Sequence, residues 1–366
     1  MKNFTFLLLF CLVIFTCRIN AQDPCSVDNV MFSEAQHNPF GLFNNSSSAT
    51  TFVFLLDVDN DNMDEAFVTD IFCIGNNCEG GVQSETLFFE NIGDEEPEFV
   101  FDTLFENASA PFGWPDIPNV DIDNDGDLDI VRGFAFEIEP DSISNIVNLV
   151  FSENHGEPGG FDFTGSEHEV NPWGIELPVS PESGNPLVLI RPAFGDLDGD
   201  CDLDMFTGGF WPGLFDERYI YFENIGTPSE PQFGEPQFNP FGLEFLCCNH
   251  YSSLVDIDCD GDLDIFTVYG NGANSLYFHE NTGSPTEPNF DCPPALWPDQ
   301  DFNLPYGVFK DLHGDGKPDV FAGGDGVRYF ENLTESLNCA NLFPEAGFEY
   351  IQNDLAVSFT DTSSGE

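Results

Sequence analysis

Three short patterns recur in the same order five times along this chain, and no other feature restricts its fold as much. An aromatic–glycine turn reads "NPFGL" from Asn38, "APFGW" from Ala110, "NPWGI" from Asn171, "NPFGL" from Asn239 and "LPYGV" from Leu304. An acidic run begins at Asp57, Asp121, Asp196, Asp256 and Asp311. An aromatic stretch ending in Glu-Asn reads "LFFENIG" from Leu87, "LVFSENHG" from Leu149, "IYFENIG" from Ile220, "LYFHENTG" from Leu276 and "RYFENL" from Arg328. A period of roughly 55–75 residues marks an architecture built from stacked copies of one unit. Each copy reads as β. A short apolar run follows the acidic residues ("DIVRGFAF", "DIFTVYG"), then the aromatic strand, then a Pro/Glu-rich turn ("GTPSEPQF", "GSPTEPNF"). No helical period is sustained, and 34 Gly and 26 Pro punctuate the chain at close intervals. Roughly four strands per copy suit a β-propeller blade, so the expected class is all-β with five repeats.

The two ends of the repeated region bear on closure. "VMFSEAQHNPFGL", from Val30, matches the late part of a repeat such as "PQFGEPQFNPFGL", whereas the last repeat stops after "RYFENL". The N-terminal strand is therefore expected to complete the last blade, which removes two exposed sheet edges.

The acidic runs align as Asp-x-Asp-x-Asp-Gly-x-x-Asp. Positions 1, 3, 5 and 9 are Asp121, Asp123, Asp125 and Asp129 in the second repeat. They are Asp196, Asp198, Asp200 and Asp204 in the third, and Asp256, Asp258, Asp260 and Asp264 in the fourth. Position 7 (Asp127, Asp202, Asp262) can add an oxygen through its backbone carbonyl. Many hard oxygen donors in a flexible loop suit Ca²⁺ better than Mg²⁺, which demands near-ideal octahedral geometry. An EF-hand is excluded. Position 12 is Arg132, Thr207 or Thr267 rather than a bidentate Glu, and a strand follows instead of a helix. The outer two loops are weaker. The first keeps Asp57, Asp59 and Asp61, with Asp64 or Glu65 as the last ligand; the fifth keeps Asp311, Asp315 and Asp319 but has His313 at position 3. Three strong calcium sites and two weaker ones are expected, with a structural role.

"DIDNDGDLDIV", "DLDGDCDLDMF" and "DIDCDGDLDIF", with "YFENIGTP"-like strands between them, resemble the FG-GAP/VCBS repeat family, and "DLHGDGKPDVF" looks like its integrin-α type. The resemblance spans Met31 to Asn332. It implies a propeller with calcium in the acidic loops, as in the integrin α-subunit head, and it brings seven blades as the alternative to five. The tail "FEYIQNDLAVSFTDTSSGE" is similar to the opening strands of a PKD-type immunoglobulin-like domain.

The expected domains are a signal peptide at 1–21, the propeller at 22–338, and a linker with an incomplete PKD-like β-sandwich start at 339–366. The signal peptide has Lys2, an apolar run from Phe4 to Thr16 and small Ala21, and that run is too short for a membrane span. The chain thus reads as secreted or displayed at a cell surface, a monomeric module of a longer bacterial protein. With 66 acidic residues against 8 basic, its field repels nucleic acid and anionic membranes. Past the signal peptide the cysteines are odd in number, so one should stay unpaired; Cys73 with Cys78 and Cys25 with Cys339 are conceivable bridges.

Catalytic patterns are thin. The six histidines are scattered and lack nucleophile partners. The basic residues outside the signal peptide are Arg132, Arg191, Arg218, Lys310, Lys317 and Arg328, and none sits in a recognisable motif. Trp114 and Trp173 occupy the repeated turn and read as packing, whereas Trp211 in "GGFWPGLFDE" is the better ligand-contact candidate. The expected function is a non-enzymatic adhesion or binding module for an extracellular protein or polysaccharide. An accessory or catalytic domain of a polysaccharide-degrading, lyase-like enzyme is the second reading, and a structural spacer the third.

Overall fold

The structure is a computed structural model of the chain. It describes residues 32–361 apart from 45–49, 58–62, 74–81, 94–96, 105–119, 138–144, 156–168, 181–183, 185–186, 188–189, 212–215, 245–248, 259, 271–273, 297–306, 314, 325, 334–347 and 354–355. The signal-peptide segment, Asp59, Asp61, Trp114, Trp297 and most of the cysteines lie outside these residues.

Strand β1 (Gln36–His37) comes first in the chain but belongs to the last sheet. The first blade is β2 (Thr50–Leu56), β3 (Glu65–Cys73), β4 (Val82–Asn91) and β5 (Phe99–Leu104), paired in that order. The second holds β6 (Ile130–Glu137), β7 (Asn145–Ser152) and β8 (Glu169–Val170), preceded by a bridge between Val120 and Asp129. The third is β9 (Ala193–Gly195), β10 (Asp204–Trp211), β11 (Asp216–Phe222) and β12 (Gln237–Phe238). The fourth is β13 (Asn249–Val255), β14 (Asp264–Gly270), β15 (Asn274–His279) and β16 (Ala295–Leu296). The fifth is β17 (Gly307–Lys310), β18 (Asp319–Ala322) and β19 (Arg328–Phe330), completed by β1. Strands β20 (Phe348–Asn353) and β21 (Ala356–Asp361) form a separate antiparallel pair. The fold is an all-β propeller of five blades, so the count follows the repeats and not the seven-bladed alternative.

Closure is as the sequence led one to expect. Gln36 pairs with Tyr329 and His37 with Arg328. The Ser33 N–H donates to the Glu331 carbonyl at 2.8 Å, and the Asn38 N–H to the Val327 carbonyl at 2.8 Å. Each bond satisfies an edge that would otherwise be open to another chain. At the same seam Lys310 of β17 forms a 2.9 Å ion pair with Asp64 of the first blade.

The strand after the acidic loop is buried on both faces in the first, third, fourth and fifth blades, where its burial is described. Residues 204–209 of β10 and all four residues of β18 are buried. Successive side chains of a strand point to opposite faces, so each serves a different neighbour. In β10, Met205 enters a core with Ile122, Val131 and Leu149 of the second blade, while Phe206 enters one with Ile265 and Phe290 of the fourth. In β18, Val320 and Ala322 pack with Phe266 and Phe278, while Phe321 packs with Val53 and Val68 of the first blade. The core is thus a set of layers between blades, which is why these strands read as apolar runs without polar alternation.

The aromatic–glycine turns link one blade to the next. Asn38, Phe40, Asn171, Trp173, Asn239 and Phe241 all hold positive φ, between 47° and 55°. Non-glycine residues in this region cost of order 1 kcal/mol or more each, so packing must hold them there. The Trp173 carbonyl accepts the Phe233 N–H at 3.0 Å, and the Phe241 carbonyl accepts the Phe290 N–H at 2.7 Å. Phe40 lies 4.9 Å from Tyr329, Trp173 4.7 Å from Phe151 and Phe241 4.9 Å from Tyr221, as ring centroids. Gly41 is obligatory, because a Cβ there would sit 2.5 Å from the Phe99 carbonyl oxygen.

Candidate metal centre

Strand register places all five acidic loops identically. The residue before position 1 pairs with the residue at position 9 in every blade: Leu56 with Glu65, Val120 with Asp129, Gly195 with Asp204, Val255 with Asp264, and Lys310 with Asp319. This register resolves the first loop. Glu65, 2% exposed, holds position 9, and Asp64 is taken up by Lys310.

Within each described loop the carboxylates first serve the backbone. Asp256 accepts the Asp260 N–H at 3.2 Å on one oxygen and the Gly261 N–H at 3.0 Å on the other. Asp121 accepts from Asp125 and Gly126, Asp196 from Gly199, Asp200 and Cys201, and Asp311 from Asp315 and Gly316. The position-5 carboxylate then accepts the position-7 N–H, as in Asp262 to Asp260 at 3.2 Å. These Asx-type bonds wrap the loop tightly, and position 6 pays with positive φ: 96° at Gly126, 95° at Gly261 and 74° at Cys201.

Position 9 is held from the aromatic strand. The Asn154, Asn224, Asn281 and Asn332 N–H groups donate to Asp129, Asp204, Asp264 and Asp319 at 2.7–2.9 Å. The Asn281 side-chain amide donates to the Leu263 carbonyl at 3.3 Å, and its Oδ1 accepts N–H groups from Gly283 and Asn289. In the first, third and fourth blades the Asn of the Glu-Asn pair, Asn91, Asn224 or Asn281, therefore ties the loop region, strand and following turn together. Sequence reading found the pair as a landmark but not this role. The recurrence of Asn beside each acidic run was the available signal.

What remains after these bonds is a set of oxygens with no donor. Carboxylate oxygens from Asp121, Asp123 and Asp125 lie within 4.8 Å of one another, as do those from Asp196, Asp198 and Asp204, and those from Asp256, Asp258 and Asp260. Such groups could hold a metal ion. Buried oxygens without a hydrogen bond include Asp123 Oδ1, Asp198 Oδ1, Asp202 Oδ1, Asp262 Oδ1 and Asp129 Oδ2. Burial pushes Asp129 up to about 8 and Asp204 to about 7, and burial with the neighbouring Asp260 charge lifts Asp262 to about 7. Asp264 stands well above the usual carboxylate range for the same reason, and Asp123, Asp198, Asp202 and Asp258 are also raised. Orphaned, crowded, buried oxygens of this kind fit a hard divalent cation, which supplies the missing charge.

The fifth loop differs. His313 Nδ1 lies 2.9 Å from Asp319 Oδ2, and the Tyr329 hydroxyl donates to the same oxygen at 3.0 Å. Lys317, at position 7, forms a 3.1 Å ion pair with Asp315. The described acids of this loop, Asp311, Asp315 and Asp319, do not converge as those of the three central loops do.

Other candidate residues are engaged in packing. Trp211 is 4% exposed, lies in the core between the second and third blades and faces Phe238 at 5.7 Å, so no open ring face is left for stacking. Trp173 packs in its turn. His279 is 1% exposed, lies within 3.2 Å of the Tyr219 hydroxyl and 3.1 Å of the Thr267 hydroxyl, and is pushed down to about 3 by burial. That is a neutral, structural imidazole. Of the basic residues, Arg191 lies 4.1 Å over the Tyr251 ring and Arg328 donates to the Gly323 carbonyl. Cys201 is a free, exposed thiol and Cys292 is disulfide-bonded, while the Cys73–Cys78 and Cys25–Cys339 pairings fall outside what the structure describes.

Residues 256–322, from the fourth acidic loop through β18, match the model of the FG-GAP-like repeat. No curated protein matches the chain. Among solved structures it is similar to one described as a thermostable family-43 glycoside hydrolase, at 10% identity and a TM-score of 0.43, over 90% of this chain and 97% of that one. No helix among the described residues is long and apolar enough to cross a membrane.

Proposed function

We propose that this chain is an exported, calcium-held propeller that binds an extracellular protein or polysaccharide, without catalysing a reaction. The observation that supports it is the set of buried, donor-less carboxylate oxygens repeated in the second, third and fourth loops. Ions there would be held by Asp121, Asp123, Asp125, Asp127 and Asp129; by Asp196, Asp198, Asp200, Asp202 and Asp204; and by Asp256, Asp258, Asp260, Asp262 and Asp264. Ca²⁺ bound there would supply the positive charge these carboxylates lack, and the position-9 Asp would tie each loop to the strand that follows it. In the first loop Asp57 and Glu65, with Asp59 and Asp61, form a weaker site. Extracellular modules of this kind bind calcium at about 10⁻⁴ to 10⁻³ M, so they stay loaded outside a cell.

The ions in this reading are structural, and recognition belongs to segments that do not repeat. The histidine best placed for chemistry by its shifted pKa, His279, is sealed in the core. The chain past residue 338 is read as the start of a further module, to which β20 and β21 belong. Thermal melting in calcium and in excess EDTA tests the metal reading. The midpoint should fall by about 10 °C or more in EDTA, since three ions at a hundredfold excess over Kd each contribute about 2.7 kcal/mol. An unchanged melting curve overturns it. Retention of the intact chain on immobilised polysaccharides or extracellular proteins, without turnover, supports the binding reading; release of shortened or unsaturated sugars overturns it in favour of an enzyme.

A further inference from the structure

The blades repeat their packing but not their rims. The Ile92, Ile225 and Thr282 N–H groups donate to the Glu98, Gln232 and Asn289 carbonyls, so Phe99, Phe233 and Phe290 follow at equivalent places on the first, third and fourth outer segments. All three are buried, and each packs against the aromatic–glycine turn that precedes its blade. The next two residues are Gly234 and Glu235 in the third blade, Asp291 and Cys292 in the fourth, and Val100 and Phe101 in the first. The residue that ends each turn is Glu176, Glu244 and Phe43 in the same order. Where the third blade exposes two glutamates, the first exposes Phe43 at 39%, Val100 at 44% and Phe101 at 42%. Phe43 and Phe101 lie 5.9 Å apart and stand against buried Phe89 at 5.0 and 5.8 Å, as ring centroids. Packing does not require this apolar patch, because the third blade forms without it.

The patch borders an open strand edge. The outer strands β8, β12, β16 and β1 have two residues each, whereas β5 has six. It pairs with β4 on one side, and among the described residues no strand pairs with the other. Such an edge presents N–H and C=O groups to a further strand. Val100 and Phe101 point to opposite faces, so an added strand meets an apolar side chain on each. A bulge at Asp102 ends the regular edge, which leaves Phe99–Phe101 for pairing. Exposed Glu98 and Asp102 flank that stretch, and exposed Glu90 lies across from Val100. This charge repels a second copy of a chain with 66 acidic residues against 8 basic, and favours a cationic segment. A sugar fits less well, because phenyl rings have no polar handle and Val100 has no ring to stack on.

We propose that the β5 edge and its Phe43, Val100 and Phe101 patch dock an extended segment of a protein partner in which apolar residues alternate with Lys or Arg. The proposal rests on the binding reading above and gives its partner a chemistry. Fluorescence anisotropy tests it, with the full chain in calcium, a labelled peptide alternating Val and Lys, and enough salt to screen free charges. That peptide should bind about tenfold more tightly, or better, than the same peptide with Ser in place of Val, and than one N-methylated at alternate residues, which cannot pair. Giving the first blade the third blade's residues, by Phe43→Glu, Val100→Gly and Phe101→Glu, should abolish that preference with the melting temperature unchanged. If the triple variant melts early, Phe101→Glu alone should still reduce the preference severalfold. Equal binding of the Val and Ser peptides, or a preference undiminished in both variants, overturns the proposal. So does a parent that sediments as a dimer while the variant is a monomer, which makes a second copy the occupant. Loss of polysaccharide retention in the variant also overturns it and makes the patch a sugar platform. If the peptides bind equally and the chain still retains a protein or polysaccharide, this proposal falls and the binding reading stands.

Discussion

The fourth and fifth acidic loops share a backbone plan and differ in who supplies the positive charge. "DIDCDGDLD" carries five carboxylates; "DLHGDGKPD" carries three and a lysine. In both, position 1 accepts the same two N–H groups and position 9 is held by the Asn of the Glu-Asn pair. In the fourth, Asp262 Oδ1 is left without a donor. In the fifth, the His313 ring and the Tyr329 hydroxyl meet Asp319, and the Lys317 ammonium meets Asp315. The charge differs at positions 3 and 7: on the calcium reading proposed above the fourth loop takes an external cation, whereas the fifth is answered by its own side chains. The loop so answered belongs to the blade that β1 closes, so the clasp of the ring need not follow the calcium concentration.

The sharpest way to break this comparison is to neutralise position 9 in each loop. Asp264→Asn should cost about 3 kcal/mol in calcium by removing one ion, and should cost nothing, or even stabilise, in EDTA. Asp319→Asn strands the His313 and Tyr329 partners and should cost about 1–3 kcal/mol in both conditions. Denaturant unfolding with and without calcium reads both; equal calcium dependence in the two variants would remove the distinction.

A gain of function comes next in size. The double change His313→Asp with Lys317→Asp gives the fifth loop the five carboxylates of the fourth. It should add one calcium per chain, counted by calorimetry, and make the fifth loop EDTA-sensitive. No added ion would mean that more than these two positions separates the loops.

The pH dependence of the metal-free chain follows from the raised carboxylates. Asp129, Asp204 and Asp262 bind protons more tightly folded than unfolded, so their contribution is fully present below the ordinary carboxylate pKa. It is lost as pH rises through about 7 to 8. In EDTA the melting temperature should therefore fall between pH 5 and pH 8. With calcium the same carboxylates are held ionised and the fall should disappear. The smallest effect belongs to Cys201, which stands at the glycine position with φ of 74°. Cys201→Gly should relieve strain of about 1 kcal/mol or less, visible as a small rise in melting temperature with calcium present.

Much of this was legible in the chain itself. The five copies of turn, acidic run and Glu-Asn strand determined the blade count. The orphaned late strand around Gln36 determined which end closes the ring. Repetition carries such information because every blade must solve the same packing problem with its neighbours. The alternation of Asp through each run likewise marked the loops, since oxygens at every second residue face one point.

What the spacing could not supply was everything decided across strands. Whether Asp64 or Glu65 takes position 9 depends on the register between β2 and β3 and on Lys310, far along the chain at the ring seam. Trp211 read as a ligand-contact candidate, yet it is buried in the core that its own blade shares with the second, against residues such as Ile122 and Leu149 that are distant in sequence. His313 sits at position 3 of the motif, and its pairing with Asp319 and Tyr329 follows only from the fold. Local spelling specifies turns and donor sets, because those bonds form within about nine residues; charge balance and burial are sums over the blades that surround them, and only the closed ring fixes those sums.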